Sequence, residues 1–257
     1  MSTMPAVFIG HGSPMYALQP NRHTMAWADF AASIARPRAI LAVSAHWHIP
    51  TVAVTAMPSP RTIHDFWGFP EELFAVQYPA PGAPELADRV ADLLAPEPVI
   101  RDTGEWGLDH GTWSVLAHMY PEADVPVVQL SIDSRKSFDE HLALGRALAP
   151  LRDEGVLIVA SGNMVHNLSL IDWQSDEGGF DWAEDFDRWT REMISTTPAS
   201  LVDASSQPGY SRAVPTDEHF LPAVYVAGVA DAVGEPGRVL TGGCSMGSLS
   251  MTSWAVG

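Results

Sequence analysis

The chain has 257 residues, of which 46% are hydrophobic and 18% are charged, so it is long enough to bury a large core and too apolar for general disorder. It carries 31 acidic against 14 basic residues, and its formal charge of −17 argues against nucleic acid or an anionic membrane as a partner. No apolar run reaches the roughly 18 residues of a membrane span. The composition therefore indicates a globular protein with an acidic surface.

The cysteine content predicts the cellular setting. Cys244 is the only cysteine, so no internal disulfide can form and a reducing compartment is the natural location. We expect Cys244, which lies in a glycine-rich segment, to be a small buried hydrophobe. The N-terminal residues lack the basic segment and the apolar core of a signal peptide, and we therefore expect a cytoplasmic protein.

Predicted strands and helices alternate along the chain. Apolar and β-branched runs predict strands at residues 5–10, 39–45, 51–56, 99–100, 125–131, 156–160, 238–241 and 249–255. Helical spacing predicts helices at residues 24–35, 85–94, 137–148, 182–194 and 221–229, with a helical turn that ends near residue 118. This alternation predicts one α/β domain over residues 1–257, with a mainly parallel central sheet flanked by helices.

Three finer predictions concern how these elements connect. The strand at 51–56 is expected to pair beside the central strand at 39–45. The polar segment 199–212 is expected to be a surface connection. Thr216 or Asp217 is expected to cap the last long helix.

Three of the apolar strands lead into a histidine. Residues 6–10 run into His11, residues 39–45 run into His46, and residues 156–160 are followed a few positions later by His166. Parallel strands present their carboxyl ends at one edge of the sheet, which is where open α/β sheets bind their ligands. We therefore expect the three imidazoles to meet there.

Further histidines stand in unusual loops. His64 lies in the aromatic loop 58–70, His110 in the glycine-flanked loop 107–113, and His219 just before the last long helix. Imidazole suits iron, zinc, copper and nickel, and ligands scattered over most of a chain are typical of an open catalytic metal centre. His48 is a weaker candidate, whereas His23, His118 and His141 are expected to be surface or core-edge groups.

Six motifs occur in a fixed order over nearly the whole chain. They are Gly10-His11-Gly12-Ser13-Pro14-Met15, Ser44-Ala45-His46-Trp47, Thr62-Ile63-His64-Asp65-Phe66, Gly107-Leu108-Asp109-His110-Gly111, Ser161-Gly162-Asn163-Met164-Val165-His166-Asn167 and Glu218-His219-Phe220-Leu221-Pro222. Together they resemble the DOPA-dioxygenase (DODA) type of class III extradiol ring-opening dioxygenases, relatives of protocatechuate 4,5-dioxygenase.

The resemblance implies a mononuclear metal held by His11, His46 and His219. It implies Fe(2+) for catalysis, with Zn(2+) commonly bound in such proteins as isolated. By the same resemblance, His166 is the acid/base residue and a further metal ligand when no substrate is bound, and His110 lies beside oxygen and substrate. More distant relatives use two histidines and a glutamate, but here Glu218 precedes His219, and we expect His219 to be the ligand.

The substrate is expected to be a small-molecule catechol, such as DOPA or a related catecholic acid, with O2 as the second substrate. His64, Trp47 and Phe66 are the predicted substrate-binding residues, although ordinary core packing is an equal expectation for the aromatic side chains. The sequence favours no particular oligomeric state.

Two other functions stay open from the sequence. One is a zinc-dependent hydrolase that uses the same histidine site with His166 as the base. The other is a non-catalytic metal-binding interaction protein of the same fold.

Overall fold

The computed structural model describes residues 3–175 and 177–257. Its strands, in chain order, are β1 (Ala6–Gly10), β2 (Ala39–Ile49), β3 (Val52–Thr55), β4 (Val99–Asp102), β5 (Val127–Asp133), β6 (Val156–Gly162), β7 (Arg238–Thr241), β8 (Cys244–Ser245), β9 (Leu249–Ser250) and β10 (Ser253–Val256). Its helices are α1 (Arg22–Ser33), α2 (Glu71–Phe74), α3 (Pro84–Leu94), α4 (His110–Met119), α5 (Phe138–Leu148), α6 (Asp181–Thr196), α7 (Tyr210–Ala213) and α8 (Leu221–Val233). Short 3-10 helices cover Pro14–Ala17, Ala149–Arg152, Leu168–Leu170 and Pro198–Ser206.

Eight strands form one sheet in the order β4-β3-β5-β2-β6-β1-β10-β7, and β8 pairs with β9 separately. The central strands β5, β2, β6 and β1 run parallel, whereas β10 and β7 extend the sheet with antiparallel pairing. This confirms the predicted α/β class with a mainly parallel central sheet.

Helices cover both faces of this sheet. Because successive side chains of a strand point to opposite faces, Leu41 and Val43 join a core with α3, α5, α6 and α8, while Ile40 and Ala42 join a core with α1 and α4. Burial on both faces explains why the central strands are uninterrupted apolar runs.

The strand predictions were wrong in three places. The predicted strand 249–255 is two strands, β9, which pairs with β8, and β10, which pairs with β1 and β7. β2 continues to Ile49, so His46 lies inside the strand, beside an irregularity in its pairing with β5 between Val43 and His48. β3 pairs with β4 and β5 and is separated from β2 by β5, because β5 pairs with the edge of β2 that the prediction assigned to β3.

The polar segment and the last helix also differ from expectation. Residues 199–212 include most of the 3-10 helix Pro198–Ser206, which buries Leu201 and Ala204 against the core. Neither Thr216 nor Asp217 caps α8 with its side chain. The backbone carbonyl of Asp217 instead accepts the N–H groups of Phe220 and Leu221.

The burial of three side chains can be compared with the sequence-based expectations. Cys244 is buried, as expected. His23 and His141 are buried too, contrary to expectation, and Nδ1 of His141 lies 3.0 Å from the hydroxyl of Tyr225. Among the described residues, no helix combines the length and the hydrophobicity needed to cross a membrane.

The helix that follows His219 is held by a close crossing of α8 over α5. A side chain at Gly145 of α5 would overlap the backbone carbonyl of Tyr225 in α8. A backbone carbonyl inside a packed helix cannot move aside, so the crossing requires glycine at this position.

Gly145→Ala should therefore lower the free energy of unfolding by about 1–3 kcal/mol, which exceeds the gain of up to about 1 kcal/mol that alanine brings to a helix. The measurement is urea denaturation followed by circular dichroism. Gly104→Ala is the matched control, because a side chain at Gly104 would meet no atom within 4 Å. Equal midpoints for the two variants would contradict the close-crossing argument.

Candidate metal centre

Five imidazoles meet at one edge of the sheet. His11 follows β1 directly, His46 lies near the end of β2, and His166 follows β6, and these three strands are neighbours in the order β2-β6-β1. His110 is the first residue of α4, and His219 lies two residues before α8. The carboxyl ends of the parallel strands thus bring together residues from most of the chain length.

Three of the rings are close neighbours of one another. Nε2 of His11 lies 3.5 Å from Nε2 of His46. The ring centroids are 5.2 Å apart for His11 and His46, 5.4 Å for His11 and His219, and 5.0 Å for His46 and His219. The near approach of two ring nitrogens is repulsive if both carry lone pairs, so the arrangement calls for a cation or a proton between them.

The remaining two rings pack against members of this group. The His110 ring lies 3.8 Å from that of His46 and 5.9 Å from that of His11. The His166 ring stacks on that of His219 at 3.5 Å, with an interplanar angle of 7°. Ligand atoms within 4.8 Å of one another form two groups, His11 with His46 and His110, and His166 with Glu218 and His219.

The rings of His11, His46 and His219 each have an oxygen atom close to their Nδ1 atom. For His11 this is the hydroxyl of Ser161, at 2.8 Å. That hydroxyl donates its own proton to the carbonyl of Gly111, at 2.6 Å, so it accepts from Nδ1–H of His11. Nε2 of a neutral His11 ring therefore carries a lone pair.

In His46 and His219, the oxygen close to Nδ1 belongs to a carboxylate. Oδ2 of Asp65 lies 3.3 Å from Nδ1 of His46. Oε1 of Glu218 lies 3.1 Å from Nδ1 of His219 and also accepts the hydroxyl of Thr216 at 2.8 Å. An ionised carboxylate only accepts hydrogen bonds, so both rings are expected to carry their proton on Nδ1.

Asp65 contacts a second imidazole as well. Its Oδ1 lies 3.0 Å from Nδ1 of His110 and accepts the backbone N–H of the same residue at 2.9 Å. The two side chains are within ion-pair distance, but Nδ1 of His110 is not aligned for a hydrogen bond with Asp65. Asp65 thus lies between His46 and the N-terminus of α4, where a negative charge is favoured.

Burial keeps the imidazoles of His11, His46, His166 and His219 neutral. Burial, followed by the neighbouring imidazoles, holds the pKa values of His11 and His219 well below the usual value, and burial followed by His110 does the same for the pKa of His46. Burial lowers the pKa of His166 to about 4. Neutral rings with free nitrogens are the form of histidine that binds transition metals.

The pKa values of Asp65 and Asp109 are shifted in opposite directions. Burial raises the pKa of Asp65, but His110 and His46 outweigh it and bring the pKa to about 2. Burial raises the pKa of Asp109 to about 6, and the nearby charge of Asp65 adds to the effect. Asp65 is therefore expected to be ionised beside these imidazoles.

Asp109 fixes the start of α4. Its side chain accepts the backbone N–H of Thr112 at 3.1 Å and the hydroxyl of Ser44 at 2.7 Å, and it contacts the amide of Gln129. This buried network connects α4 to β2 and β5, and it sets the position of His110. Asp109 stands where a helix cap is expected, which is the one sequence signal for it.

The predicted substrate-binding residues occupy different positions. Phe66 meets the His110 ring edge-on at 5.4 Å. His64 lies behind Phe66, and its Nε2 is 2.9 Å from the carbonyl of Val76. Trp47 is buried and stacks on Trp106 at 5.6 Å. Of these three residues, Phe66 contacts one of the five clustered imidazoles. The substrate-binding role stays a prediction for all three.

The known proteins that are similar to this chain are ring-opening dioxygenases. The family described as the catalytic LigB subunit of aromatic ring-opening dioxygenase matches residues 5–251. A protein named 4,5-DOPA dioxygenase extradiol from Escherichia coli (strain K12) is 48% identical over 258 residues, which cover 99% of this chain and 95% of the relative. One of the same name from Beta vulgaris is 40% identical, over 87% of this chain and 85% of the relative.

A solved structure agrees with these relatives. The crystal structure of an uncharacterized protein from Escherichia coli K12 matches with a TM-score of 0.87 and 44% sequence identity, and the match covers 99% of this chain and 100% of that one. These findings confirm the predicted family and count against the hydrolase and the non-catalytic alternatives. The chain belongs to the LigB family of aromatic ring-opening dioxygenases and is an extradiol ring-cleavage dioxygenase.

Proposed function

We propose that this protein is an iron(II)-dependent extradiol dioxygenase that uses O2 to open the ring of DOPA or a related catechol, with the metal held by His11, His46 and His219. The names of the relatives from Escherichia coli and Beta vulgaris support the substrate. We also propose a cytoplasmic location, which the single buried Cys244 supports.

The spacing of the three rings is the observation that carries the proposal. Imidazoles that bind one ion at about 2.0–2.1 Å have ring centres about 3.2 Å from it, so two ligands separated by about 90–115° have centres about 4.5–5.5 Å apart. The three measured separations of 5.0, 5.2 and 5.4 Å lie in this range.

The same test separates His110 and His166 from the proposed ligands. Their closest ring separations are 3.8 Å, to His46, and 3.5 Å, to His219, which are too short for two rings that bind one ion through their nitrogens. Parallel stacked rings also direct their nitrogens along separate lines. This supports a position for both residues beside the metal. The role of His166 as a further ligand when no substrate is bound stays a prediction, because one of its ring nitrogens lies within 4.8 Å of ligand atoms of Glu218 and His219.

The partners of the three ligand rings support the same set. Ser161, Asp65 and Glu218 face Nδ1 of His11, His46 and His219 in turn. Metal-binding histidines usually donate their other ring nitrogen to a carboxylate or another oxygen, which fixes the tautomer and increases the basicity of the ligand nitrogen. All three proposed ligands have this arrangement.

The donor set accepts either iron or zinc, because imidazole suits both ions. When bound, iron(II) would supply a redox-active Lewis acid for the catechol and O2, whereas zinc has no redox chemistry. We therefore assign catalysis to iron and treat zinc as an ion that the isolated protein also binds.

The protein groups beside the metal handle protons and orient the ring. His166, kept neutral by burial, accepts a proton from a catechol hydroxyl and later returns it to the opened product. His110 lies in the same cluster and, through the free Nε2 of its Nδ1–H tautomer, accepts a hydrogen bond from a catechol hydroxyl. Phe66 offers a flat apolar surface next to His110 for the aromatic ring of the substrate.

Anaerobic loading of metal-free protein with iron(II), followed by oxygen-electrode assays on L-DOPA and other catechols, tests the proposal. We expect O2 uptake that depends on substrate and a yellow ring-opened product with iron, and neither with zinc. Iron-loaded protein that consumed no O2 with any catechol would contradict the proposed function.

The ligand assignment predicts that His11→Ala, His46→Ala and His219→Ala each abolish stoichiometric iron binding, because each removes a direct bond to the metal. Elemental analysis after anaerobic loading and desalting measures this. His118→Gln is the control, since Nε2 of His118 contacts the carbonyl of Tyr16 outside the cavity and a glutamine amide can donate to the same oxygen. One equivalent of iron in any of the three alanine variants would remove that residue from the ligand set.

The acid/base role predicts a different result for His166→Ala. This variant should retain iron and lose turnover by ~10²–10⁴-fold, which is the usual scale for one proton-transfer group. The measurement is kcat with L-DOPA at saturating iron(II), paired with elemental analysis of the same sample. Full turnover would exclude His166 from proton transfer, and loss of the metal would assign it as a ligand instead.

A further inference from the structure

The carboxylate of Asp65 uses both of its oxygens on two different imidazoles. Oδ2 faces Nδ1 of His46 at 3.3 Å, and Oδ1 faces Nδ1 of His110 at 3.0 Å while it accepts the backbone N–H of His110 at 2.9 Å. The two rings are 3.8 Å apart. One side chain therefore lies between a proposed metal ligand and the histidine beside it.

The loop that carries Asp65 is fixed by hydrogen bonds just before this residue. The backbone of Ile63 donates to the carbonyl of Leu108 at 2.8 Å, and Leu108 donates back to Arg61 at 2.9 Å. The indole N–H of Trp113, in α4, donates to the carbonyl of Ile63 at 2.7 Å. The loop is thus held against the segment that begins α4, which keeps Asp65 at a constant distance from His110.

We propose that Asp65 is a positioning residue that fixes the tautomer and the orientation of His46 and His110 together. This inference rests on the proposed function, because it assigns His46 as a metal ligand. An ionised carboxylate is a pure acceptor, so both Nδ1 atoms must carry hydrogen when they face it. Nε2 of each ring is then left free, for the metal at His46 and for substrate at His110.

Glu218 provides a contrast within the same site. It faces one imidazole, and its Oε1 alone serves both His219 and the hydroxyl of Thr216. A glutamine amide offers one such oxygen, so Glu218→Gln can preserve both contacts. An asparagine in place of Asp65 cannot do so, because its amide presents an oxygen to one imidazole and an N–H donor to the other.

Asp65→Asn should therefore force one of the two rings into the other tautomer or turn it away. If that ring is His46, its Nε2 carries the proton and no longer binds metal; if it is His110, its Nε2 no longer accepts a proton. The carboxylate is nearly isosteric with the amide, so the change tests hydrogen-bond direction and charge, with little change in shape.

The first measurement is the zinc dissociation constant of the variants by competition with a chromophoric chelator. We expect Asp65→Asn to weaken zinc binding by about 10–100-fold, the usual effect of losing a partner of a metal-bound histidine. We expect Glu218→Gln to weaken zinc binding less than Asp65→Asn does, since a glutamine amide preserves both contacts of Glu218. Asp88→Asn, which alters an exposed pair with Arg101, is the control for a general loss of negative charge.

The second measurement is long-range nitrogen–proton NMR of the protein with labelled histidine, which reports the tautomer of each ring directly. We expect the Nδ1–H form for His46 and His110 in the native protein, and a changed tautomer for one of them in Asp65→Asn. A purely structural role for Asp65 would lower thermal stability without changing a tautomer, so a melting curve of each variant is recorded beside the spectra.

A double variant keeps the inference testable if the single variant folds poorly. With His110→Ala, the amide introduced by Asp65→Asn can turn its oxygen to His46, and water can reach the backbone N–H in the space left by the ring. Asp65→Asn should then cost less zinc affinity in the His110→Ala background than in the native one, and purely additive losses would overturn the shared role.

The outcomes separate this inference from the proposed function. Native protein that binds no zinc or iron would overturn the proposed function. Native protein that binds metal, together with an Asp65→Asn variant of equal affinity and unchanged tautomers, would overturn the role of Asp65 alone.

Discussion

The site depends on imidazoles that are packed too closely to be protonated together. His11, His46 and His219 are neighbours within 5.0–5.4 Å, and His166 and His110 pack against them at 3.5 and 3.8 Å. Placing protons on several of these buried rings would set like charges side by side at low dielectric. Burial is the larger cause of the low pKa values of His11, His46 and His219, and this repulsion adds to it, so their ring nitrogens keep the lone pairs that a metal ligand needs.

The sheet makes this convergence possible because its central strands are rigid and parallel. β2, β6 and β1 lie side by side and deliver His46, His166 and His11 at the same edge. His219 comes from a different direction, and its carbonyl accepts the backbone N–H of Asn163 at 2.9 Å, directly after β6. A side chain at Gly162 would overlap that carbonyl, so the end of β6 must be glycine for the fourth imidazole to approach.

The parts of the fold that the sequence predicts are those where every residue has the same task. Strands such as β1 and β6 are buried on both faces, so the apolar run alone identifies them. The end of β2 escapes this rule, since His46 and His48 interrupt the apolar run while the strand continues to Ile49. The helical turns within 198–206 escape it too, because buried Leu201 and Ala204 stand among polar residues without a clear helical period.

The site divides in the same way, between groups recognised by their own chemistry and groups recognised by their contacts. Imidazoles can be picked out along a chain because few other side chains bind transition metals, and all five that the cavity contains are candidates from the sequence. Ser161 and Asp65 have no such signature, and the loop 58–70 draws attention to His64, one position before the residue that contacts His46 and His110. What makes Asp65 important is the short distance from its two carboxylate oxygens to two Nδ1 atoms, one on β2 and one on α4. That proximity exists only after the chain has folded, so the acceptors that orient a cluster of imidazoles are found from coordinates, whereas the imidazoles themselves can be found from sequence.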